Sequence, residues 1–355
     1  MNKTYFQDIH YSRIKPNIFL KAILGLGEIF YKIAINSKNF LYETGFLKES
    51  SCGAYVICVG NLTTGGVGKT PVVEHLANEL SKGKRVAIIS RGYGSKLNNK
   101  KVNIIKSKGR IRYKNGNICG DEIYQLAKNT FPTVTVITCA DRLKAARTAV
   151  ARYKSDIIIL DDGFSNRKLK KDKNLILIDS KMRLGNEHLL PLGPLREPVS
   201  EIKRADEIIL VDKGDRNFNE ALDWIKSKFL VPLRICKMHP DKIYNMQTKA
   251  EVVSIKSAIA FCAIGQSEQF FDFARQYCSL KEEIRFNDHY PYNQKDIENL
   301  IKIAKKHKTH TFITTQKDEA KIKALTDNIK DYCFCVLRLK SKLEQNELSN
   351  ALLSE

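Results

Sequence analysis

Residues 54–70 read AYVICVGNLTTGGVGKT, an apolar run rich in β-branched residues that passes directly into a glycine-rich turn. The next residues, 72–84, read VVEHLANELSKGK and predict a helix that ends near Gly83. A glycine-rich turn between a buried strand and a helix binds phosphate, because its backbone N–H groups point inward at the start of the helix. The stretch therefore predicts a nucleotide-binding loop on an α/β fold.

The lysine and the threonine that end this loop carry its chemistry. In the phosphate-binding motif, the residue at Lys69 reaches the β- and γ-phosphates, and the hydroxyl at Thr70 ligates Mg²⁺. The strict motif has glycine where this chain has Thr63, although the strand and the helix on either side match. The alternative is a glycine turn with a structural purpose only. The predicted nucleotide-binding residues are Thr63, Thr64, Gly65, Gly66, Val67, Gly68, Lys69 and Thr70.

A pair of aspartates closes another apolar run, IIILDDG at residues 157–163. A P-loop needs a carboxylate at the end of a neighbouring strand to hold Mg²⁺ through its water shell. Asp161 and Asp162 stand in that place, so we predict that they form the metal side of the site together with Thr70. A strand-ending Asp-Gly is by itself a common turn, and it is the P-loop that favours a metal site here.

Two further motifs place acids and a histidine in different parts of the chain. The segment CGDEIYQ, residues 119–125, puts Asp121 and Glu122 at the start of a predicted helix, where carboxylates also have an ordinary capping use. The segment FNDHYPY, residues 286–292, carries His289 directly after an aspartate. An aspartate and a histidine that meet across a cleft would form a base and its partner for deprotonating a hydroxyl.

Apolar runs without alternation recur at 85–90, 134–138, 156–160 and 174–179. Such runs are typical of parallel strands that helices cover on both faces. The predicted fold class is therefore α/β, with a P-loop NTPase-like, doubly wound parallel sheet. Further strand candidates at 207–211, 233–238, 258–264, 311–315 and 334–339, with helical stretches at 267–278 and 293–308, predict a second, smaller α/β domain.

We expect three parts in the chain: an N-terminal amphipathic segment (1–45), the P-loop domain (46–203) and the smaller α/β domain (204–355), which closes over the site. Residues 96–116 are rich in Lys, Asn, Gly and Arg, and predict an exposed hairpin or loop outside the core. Residues 190–198, LPLGPLREP, carry three prolines and predict a hinge or a ligand loop.

The stretch NIFLKAILGLGEIFYKIAINSKNFLY, residues 17–42, predicts an amphipathic helix. Lysines at 15, 21, 32 and 38 lie among or beside its apolar residues, as expected of a helix in a bilayer interface next to anionic headgroups. The alternative is that the apolar stripe packs on the protein's own domain. The apolar residues at helical spacing are Ile18, Phe19, Ala22, Ile23, Leu26, Ile29, Phe30 and Ile33.

The chain of 355 residues is strongly basic, with 60 Lys and Arg against 39 Asp and Glu and a net charge of +21. This charge suits nucleic acid, an anionic membrane, a phosphorylated substrate or simply a solvated surface. We find no helix-turn-helix, zinc-finger or RRM signature, so we expect no nucleic-acid partner. Nine cysteines without a C-x-x-C pair favour buried thiols of a cytosolic protein over a disulfide framework. With no signal-peptide pattern and no run of 18 apolar residues, we expect no membrane-spanning helix.

Taken in order, these motifs resemble the tetraacyldisaccharide 4′-kinases of lipid A assembly. The matching segments are VGNLTTGGVGKTP, ISRGYG, GDE, DDGF, LLPLGPLREP, RADEIILV, FNDHYPY and TTQKDEAK, within residues 15–320. The resemblance implies a kinase that uses ATP and Mg²⁺ to phosphorylate the 4′-hydroxyl of a tetraacylated glucosamine disaccharide 1-phosphate. It also implies a peripheral position at the cytoplasmic face of the bacterial inner membrane.

The resemblance further implies roles for single residues. Asp121 matches the proposed catalytic base, His289 matches its partner, and Glu122 is expected to assist on the metal side. Two positions depart from the family: Ser165 stands where Gln is usual, and Tyr290 stands where His is common. The residues that fall in motifs near the sugar and phosphate are Arg91, Arg142, Asn166, Arg196 and Glu197.

The alternative from another class is a P-loop switch ATPase of the partitioning or metal-insertion type, whose loops also resemble GGVGKT. Such a switch predicts nucleotide-dependent dimerisation and slow hydrolysis without an acceptor. It does not require the FNDHYPY motif in a second α/β domain, so the sequence favours the kinase.

Overall fold

The computed structural model describes residues 3–113, 116–265, 267–287 and 290–344. Its strands are β1 (Tyr55–Gly60), β2 (Val86–Ser90), β3 (Asn103–Ser107), β4 (Arg110–Ile111), β5 (Thr135–Thr138), β6 (Ile157–Asp161), β7 (Lys173–Asp179), β8 (Glu207–Asp212), β9 (Leu233–Asn245), β10 (Ser257–Cys262), β11 (Ser279–Arg285), β12 (Thr311–Thr315) and β13 (Cys333–Leu343). Its α-helices are α1 (Lys3–His10), α2 (Ile18–Glu43), α3 (Lys69–Leu80), α4 (Gly116–Cys119), α5 (Asp121–Asn129), α6 (Arg142–Tyr153), α7 (Phe218–Lys228), α8 (Ser267–Arg275), α9 (Gln294–Lys306) and α10 (Gln316–Thr326), and a 3-10 helix covers Val199–Arg204.

The strands of the described residues form one sheet in the order β11-β10-β12-β13-β9-β8-β7-β1-β6-β2-β5-β3-β4. The run from β9 to β5 is parallel, and so are the pairs among β11, β10, β12 and β13. The long antiparallel pair of β9 and β13 joins these two parallel regions into a continuous sheet. The predicted fold class is confirmed, and every predicted strand is present. The domain boundaries at 45/46 and 203/204 stay a prediction.

The central strand β1 shows why its sequence is apolar throughout. Val56 and Cys58 face one hydrophobic core, while Ile57 and Val59 face another on the opposite side of the sheet. All four side chains are fully buried. Helices cover both faces, so alternation with polar residues is absent. The C-terminal strands β10, β12 and β13 are likewise flanked by two cores of their own.

The carboxyl ends of the central parallel strands meet at one edge of the sheet, where ligands bind in doubly wound folds. The glycine-rich loop follows β1, the Asp-Asp-Gly turn follows β6, and the ISRGYG segment follows β2. The proline-rich segment 190–198 runs beside this edge. Its Pro194 carbonyl accepts a hydrogen bond of 2.7 Å from the Thr64 amide of the glycine-rich loop.

Residues 96–116 differ from their prediction. They include the β3–β4 hairpin, but β3 is not exposed, because it pairs antiparallel with β5 and buries Ile104 and Ile105. Lys106 is buried too, and its ammonium donates to the Thr130 carbonyl at the end of α5 at 2.6 Å. The many Lys, Asn, Gly and Arg residues of this segment favoured a loop. Ile104 and Ile105 instead become buried in a strand that adds to the sheet beside β5. The helix α1 and the polar edge strand β11 were not predicted.

The predicted N-terminal helix is present as α2, and its apolar stripe does not pack on the protein. Ile18 and Phe19 are each 80% exposed and Phe30 is 72% exposed. The opposite face docks instead: Leu24 is buried, and the Tyr31 hydroxyl donates to the Arg196 carbonyl at 2.9 Å. Among the residues described, no helix is both long enough and apolar enough to span a membrane.

Candidate active site

The loop lysine is held in place by a side chain of its own loop. Lys69 is the first residue of α3, directly after Gly68, whose φ of 97° requires glycine. The Lys69 ammonium donates to Asn61 Oδ1 at 2.7 Å and lies 3.7 Å from Asp162 Oδ1. Asn61 in turn donates to the Thr63 carbonyl at 2.7 Å. The ammonium therefore lies at the start of the helix, where it can bind a phosphate group in place of Asn61 and Asp162.

Asp162 pairs with both Lys69 and Arg196. Arg196, from the proline-rich segment, donates to both of its carboxylate oxygens, at 2.9 and 2.8 Å. Burial raises the pKa of Asp162, but the charges of Lys69 and Arg196 outweigh it and hold the pKa well below its usual range. Its backbone φ of 58° is unusual for a residue other than glycine, and such strain concentrates at functional sites.

Its neighbour Asp161 is buried at the end of β6. Burial raises the pKa of Asp161 to about 7, the negative charges of Glu122 and Asp162 add to the rise, and the Lys69 charge opposes it. Asp161 therefore lies in a negatively charged setting that the Lys69 ammonium partly offsets. Carboxylate and hydroxyl oxygens, as in Asp161, Asp162 and Thr70, suit Mg²⁺, which keeps waters and nucleotide phosphate oxygens among its ligands. Among the described residues, no group of three or more His, Cys, Asp or Glu side chains could hold a metal ion by itself. Bound Mg²⁺ would therefore need waters and phosphate oxygens as further ligands.

The GDE segment meets this edge at the start of α5. Gly120 has a φ of 94°, and a Cβ there would lie 2.8 Å from the Tyr93 carbonyl oxygen, so only glycine lets the ISRGYG segment pack this closely. Asp121 follows as the first helical residue, and its carboxylate lies 3.5 Å from the Lys321 ammonium. Glu122 lies 3.7 Å from Lys317. Both lysines belong to α10, which comes from the C-terminal part of the chain.

Two arginines add positive charge beside the aspartates. Arg142 is buried, and its pKa is lowered by burial and by the neighbouring charge of Arg91, which is exposed. Its Nη1 donates to the Ala140 carbonyl at 2.8 Å, whereas its buried Nε has no hydrogen-bond partner among the described residues. A buried guanidinium with an unused donor fits an anionic ligand.

The remaining predicted substrate residues are engaged within the protein. Glu197 is completely buried; Asn39 donates to its carboxylate at 3.0 Å and Lys38 at 3.3 Å. It holds α2 against the proline-rich segment, and this arrangement presents none of its oxygens to a ligand. Lys38 therefore points toward the protein and not, as predicted with Lys15, Lys21 and Lys32, toward anionic headgroups. Asn166 lies in the turn after β6 and accepts a bond from the Leu169 amide at 3.5 Å.

His289 lies outside the described residues, as does Asp288. The next residue, Tyr290, is described, and its carbonyl accepts a hydrogen bond from Lys321 at 3.3 Å.

Sequence reasoning missed several residues at the same edge. Lys213, after β8, pairs with Asp179, at the end of β7, at 2.6 Å and donates to the Gly66 carbonyl of the glycine-rich loop at 2.7 Å. Tyr11 donates to the Thr64 carbonyl at 2.9 Å. Because β7 lies next to β1 in the sheet and β8 lies next to β7, the polar residues that end these two strands were the available signal. Tyr11 had no such signal, since it lies far away in sequence.

The sequence model of the family described as Tetraacyldisaccharide-1-P 4'-kinase matches residues 20–355. The chain belongs to this family. Among similar proteins, a Tetraacyldisaccharide 4'-kinase of Halothermothrix orenii is 33% identical over 329 residues, covering 87% of this chain and 84% of the relative. One of Aquifex aeolicus is 34% identical and covers 91% and 95%, respectively. The solved structure of Aquifex aeolicus LpxK in complex with ATP has a TM-score of 0.75 and 31% identity, covering 94% of this chain and 98% of the other.

Membership of the 4′-kinase family confirms the resemblance drawn from the motifs and the P-loop NTPase-like fold. It makes the chain a kinase of lipid A biosynthesis, a phosphotransferase with an alcohol group as acceptor, and it does not support the switch ATPase.

Proposed function

We propose that the chain transfers the γ-phosphoryl group of ATP to the 4′-hydroxyl of a tetraacyldisaccharide 1-phosphate, with Asp121 as the base that accepts the hydroxyl proton. Family membership supports the nucleotide and the acylated disaccharide. One structural observation carries the assignment of the base: Gly120, directly before Asp121, packs against the Tyr93 carbonyl in the segment after β2, and β2 pairs with β6, which ends at Asp161. The start of α5 therefore lies beside the aspartates that accompany the P-loop.

Phosphoryl transfer depends mainly on positioning and on neutralising charge. The backbone N–H groups of residues 63–70 surround the phosphates, and the Lys69 ammonium moves from Asn61 and Asp162 to the β- and γ-phosphates. Arg196 keeps the Asp162 carboxylate in one orientation during this exchange. Once ATP is bound, these groups are in place, so little further reorganisation is needed in the transition state.

The oxygen donors of Thr70, Asp161 and Asp162, with Glu122 nearby, would hold Mg²⁺. When bound, this ion supplies positive charge to the oxygens of the transferring phosphoryl group. The raised pKa of Asp161, caused by burial and by the charges of Glu122 and Asp162, supports this assignment, because a nearby cation would favour the ionised form of this carboxylate.

A sugar hydroxyl is a poor nucleophile at neutral pH, so its proton must leave as the new bond forms. The 4′-oxygen forms a bond to the γ-phosphorus, the bond to the β,γ-bridging oxygen breaks, and ADP leaves with that electron pair. The proton passes to Asp121, with His289 as its partner, a contribution of typically about 10²–10⁴-fold. Arg91 and Arg142 are placed to meet anionic groups of the acceptor or of the nucleotide.

We further place the chain on the membrane surface through α2, at the cytoplasmic face of the inner membrane. An exposed apolar stripe of this size is unusual on a soluble surface and marks an interaction site. The exposed lysines Lys15, Lys21 and Lys32 flank it, and they favour an anionic lipid surface over an uncharged partner. The acyl chains of the acceptor lie in the same surface, so the helix brings the site to its substrate.

The test is transfer of radiolabelled γ-phosphate from Mg·ATP to a tetraacyldisaccharide 1-phosphate in mixed micelles. We expect labelled lipid with the wild type and none with Lys69→Ala. Lys82→Ala, at an exposed lysine of the same region that pairs with Glu79, serves as the control and should leave the rate unchanged. ATP hydrolysis by the wild type without labelled lipid would contradict the proposal.

A further inference from the structure

The motif TTQKDEAK, residues 314–321, has no role in the chemistry described so far. It forms the start of α10, where Lys317 and Lys321 are one helical turn apart. Each lysine faces one of the two adjacent carboxylates at the start of α5. Lys321 Nζ lies 3.5 Å from Asp121 Oδ2, and Lys317 Nζ lies 3.7 Å from Glu122 Oε1.

The two ion pairs differ in their exposure to water. The side chains of Lys321 and Asp121 are only 8% and 13% exposed, whereas Glu122 is half exposed. A charged pair with little access to water is sensitive to the loss of either partner, because the remaining charge is left without compensation. Of these two lysines, Lys321 is therefore the one whose removal would disturb the site more.

Lys321 also contacts a second part of the site. Its ammonium donates to the backbone carbonyl of Tyr290, the residue directly after His289 in the sequence, at 3.3 Å. One ammonium group thus joins the carboxylate of the base and the backbone beside its histidine partner.

Packing fixes the helix that carries this ammonium. Asp318 is completely buried and accepts hydrogen bonds from the Thr315 hydroxyl at 2.7 Å and from the Ala263 amide at 3.1 Å. Glu319 is buried as well and pairs with Lys128 of α5 at 3.1 Å. With α10 anchored to both β10 and α5, Lys321 has little freedom to move away from Asp121.

We propose that Lys321 is a positioning residue for phosphoryl transfer, which holds the Asp121 carboxylate in one orientation and ties it to the Tyr290 backbone carbonyl. This inference rests on the proposed role of Asp121 as the base. Both contacts of the Lys321 ammonium are to the protein itself, the Asp121 carboxylate and the Tyr290 carbonyl, so Lys321 acts through Asp121. Its loss leaves the nucleotide loop intact and lets the base turn away from the hydroxyl.

The experiment compares Lys321→Met with Lys323→Met, at an exposed lysine two residues further along the same helix. We expect Lys321→Met to lower kcat about 10- to 100-fold, the usual effect of a misplaced group, with KM for ATP nearly unchanged. Lys323→Met should match the wild type in both constants. Thermal unfolding of each variant checks that it is folded. If Lys321→Met does not fold, Lys321→Gln is used in its place, and the same decrease in kcat is expected.

The deciding measurement repeats Lys321→Met in an Asp121→Ala background. A residue that acts through Asp121 has little further effect once Asp121 is gone, so the two losses should not multiply. Equal losses in both backgrounds, or a wild-type kcat in Lys321→Met, would overturn the positioning role while leaving Asp121 as the base. Wild-type activity of Asp121→Ala alone would instead overturn the proposed function.

Discussion

The Arg196 guanidinium closes on the Asp162 carboxylate through two hydrogen bonds, Nη1 to Oδ2 at 2.9 Å and Nη2 to Oδ1 at 2.8 Å. The same Nη2 also donates to Asn61, the residue that holds Lys69. The proline-rich segment therefore sets the position of both the aspartate and the lysine of the nucleotide site. A single arginine links three parts of the chain that are distant in sequence.

Replacing Arg196 by lysine should lower kcat about tenfold or more, because an ammonium cannot make the two-point contact with Asp162. The control is Arg85→Lys. Arg85 makes a similar two-point contact with Asp156, at 2.9 and 2.6 Å, at the opposite edge of the sheet. Steady-state kinetics of both variants check the prediction, and equal kcat values for the two would contradict it.

Gly120→Ala should damage both stability and activity. Its φ of 94° is strained for alanine, and the new methyl group would lie 2.8 Å from the Tyr93 carbonyl oxygen. We expect a loss of about 1–3 kcal/mol in the free energy of unfolding, together with a lower kcat because Asp121 is the next residue.

Gly53→Ala is the matched control for this change, since Gly53 has a φ of 82° and nothing within 4 Å of a new Cβ. Chemical unfolding gives the free energy of unfolding of both variants. The loss in Gly53→Ala measures the backbone strain alone, and any additional loss in Gly120→Ala measures the steric clash with Tyr93. A kcat for Gly120→Ala equal to that for Gly53→Ala would show that the close approach to Tyr93 does not matter for the site.

The central sheet and the nucleotide loop were predictable from the sequence because their signals are local. The apolar run of residues 55–60 and the glycines after it are contiguous, and the ends of parallel strands necessarily meet at one edge. The carboxylates Asp161 and Asp162 were predictable for the same reason.

Contacts between distant segments were not predictable in this way. Nothing in the composition of residues 314–321 shows that Lys321 meets Asp121, because this contact depends on how α10 packs against α5. The burial of Glu197 likewise follows from the docking of α2, which supplies Asn39 and Lys38. Lys106 reads as a surface residue in a basic segment, yet it caps the end of α5 through the Thr130 carbonyl.

Replacing Phe19 and Phe30 by glutamate should reduce binding to vesicles that contain anionic phospholipid. Each phenylalanine that enters the bilayer interface contributes roughly 1.5–3 kcal/mol, so we expect the double variant to bind at least about 100-fold more weakly. Phe131→Glu is the control, since Phe131 is 45% exposed but lies outside α2. Sedimentation with vesicles checks this, and unchanged binding of the double variant would contradict a membrane role for α2.

His10 should make the stability of the protein sensitive to mild acid. Its Nε2 contacts the Pro191 carbonyl at 3.0 Å, and burial lowers the pKa of His10 below its ordinary value of 6.5, against the opposing effect of this hydrogen bond. As the pH falls below 6.5, the unfolded chain takes up a proton more readily than the folded chain, so the free energy of unfolding decreases.

His10→Gln removes this proton uptake and keeps a polar side chain. Denaturant unfolding at pH values of about 7 and 5 should therefore show a larger decrease for the wild type than for the variant. If the free energy of unfolding decreases equally in the two proteins over this range, protonation of His10 does not destabilise the protein.

The most direct measurement of the central claim is the rate of lipid phosphorylation by Asp121→Ala, with ATP binding measured on the same preparation. We expect a kcat about 10²–10⁴-fold below the wild type and an unchanged Kd for ATP, because Asp121 serves the acceptor hydroxyl and not the nucleotide. A wild-type kcat, or a loss confined to ATP binding, would contradict it.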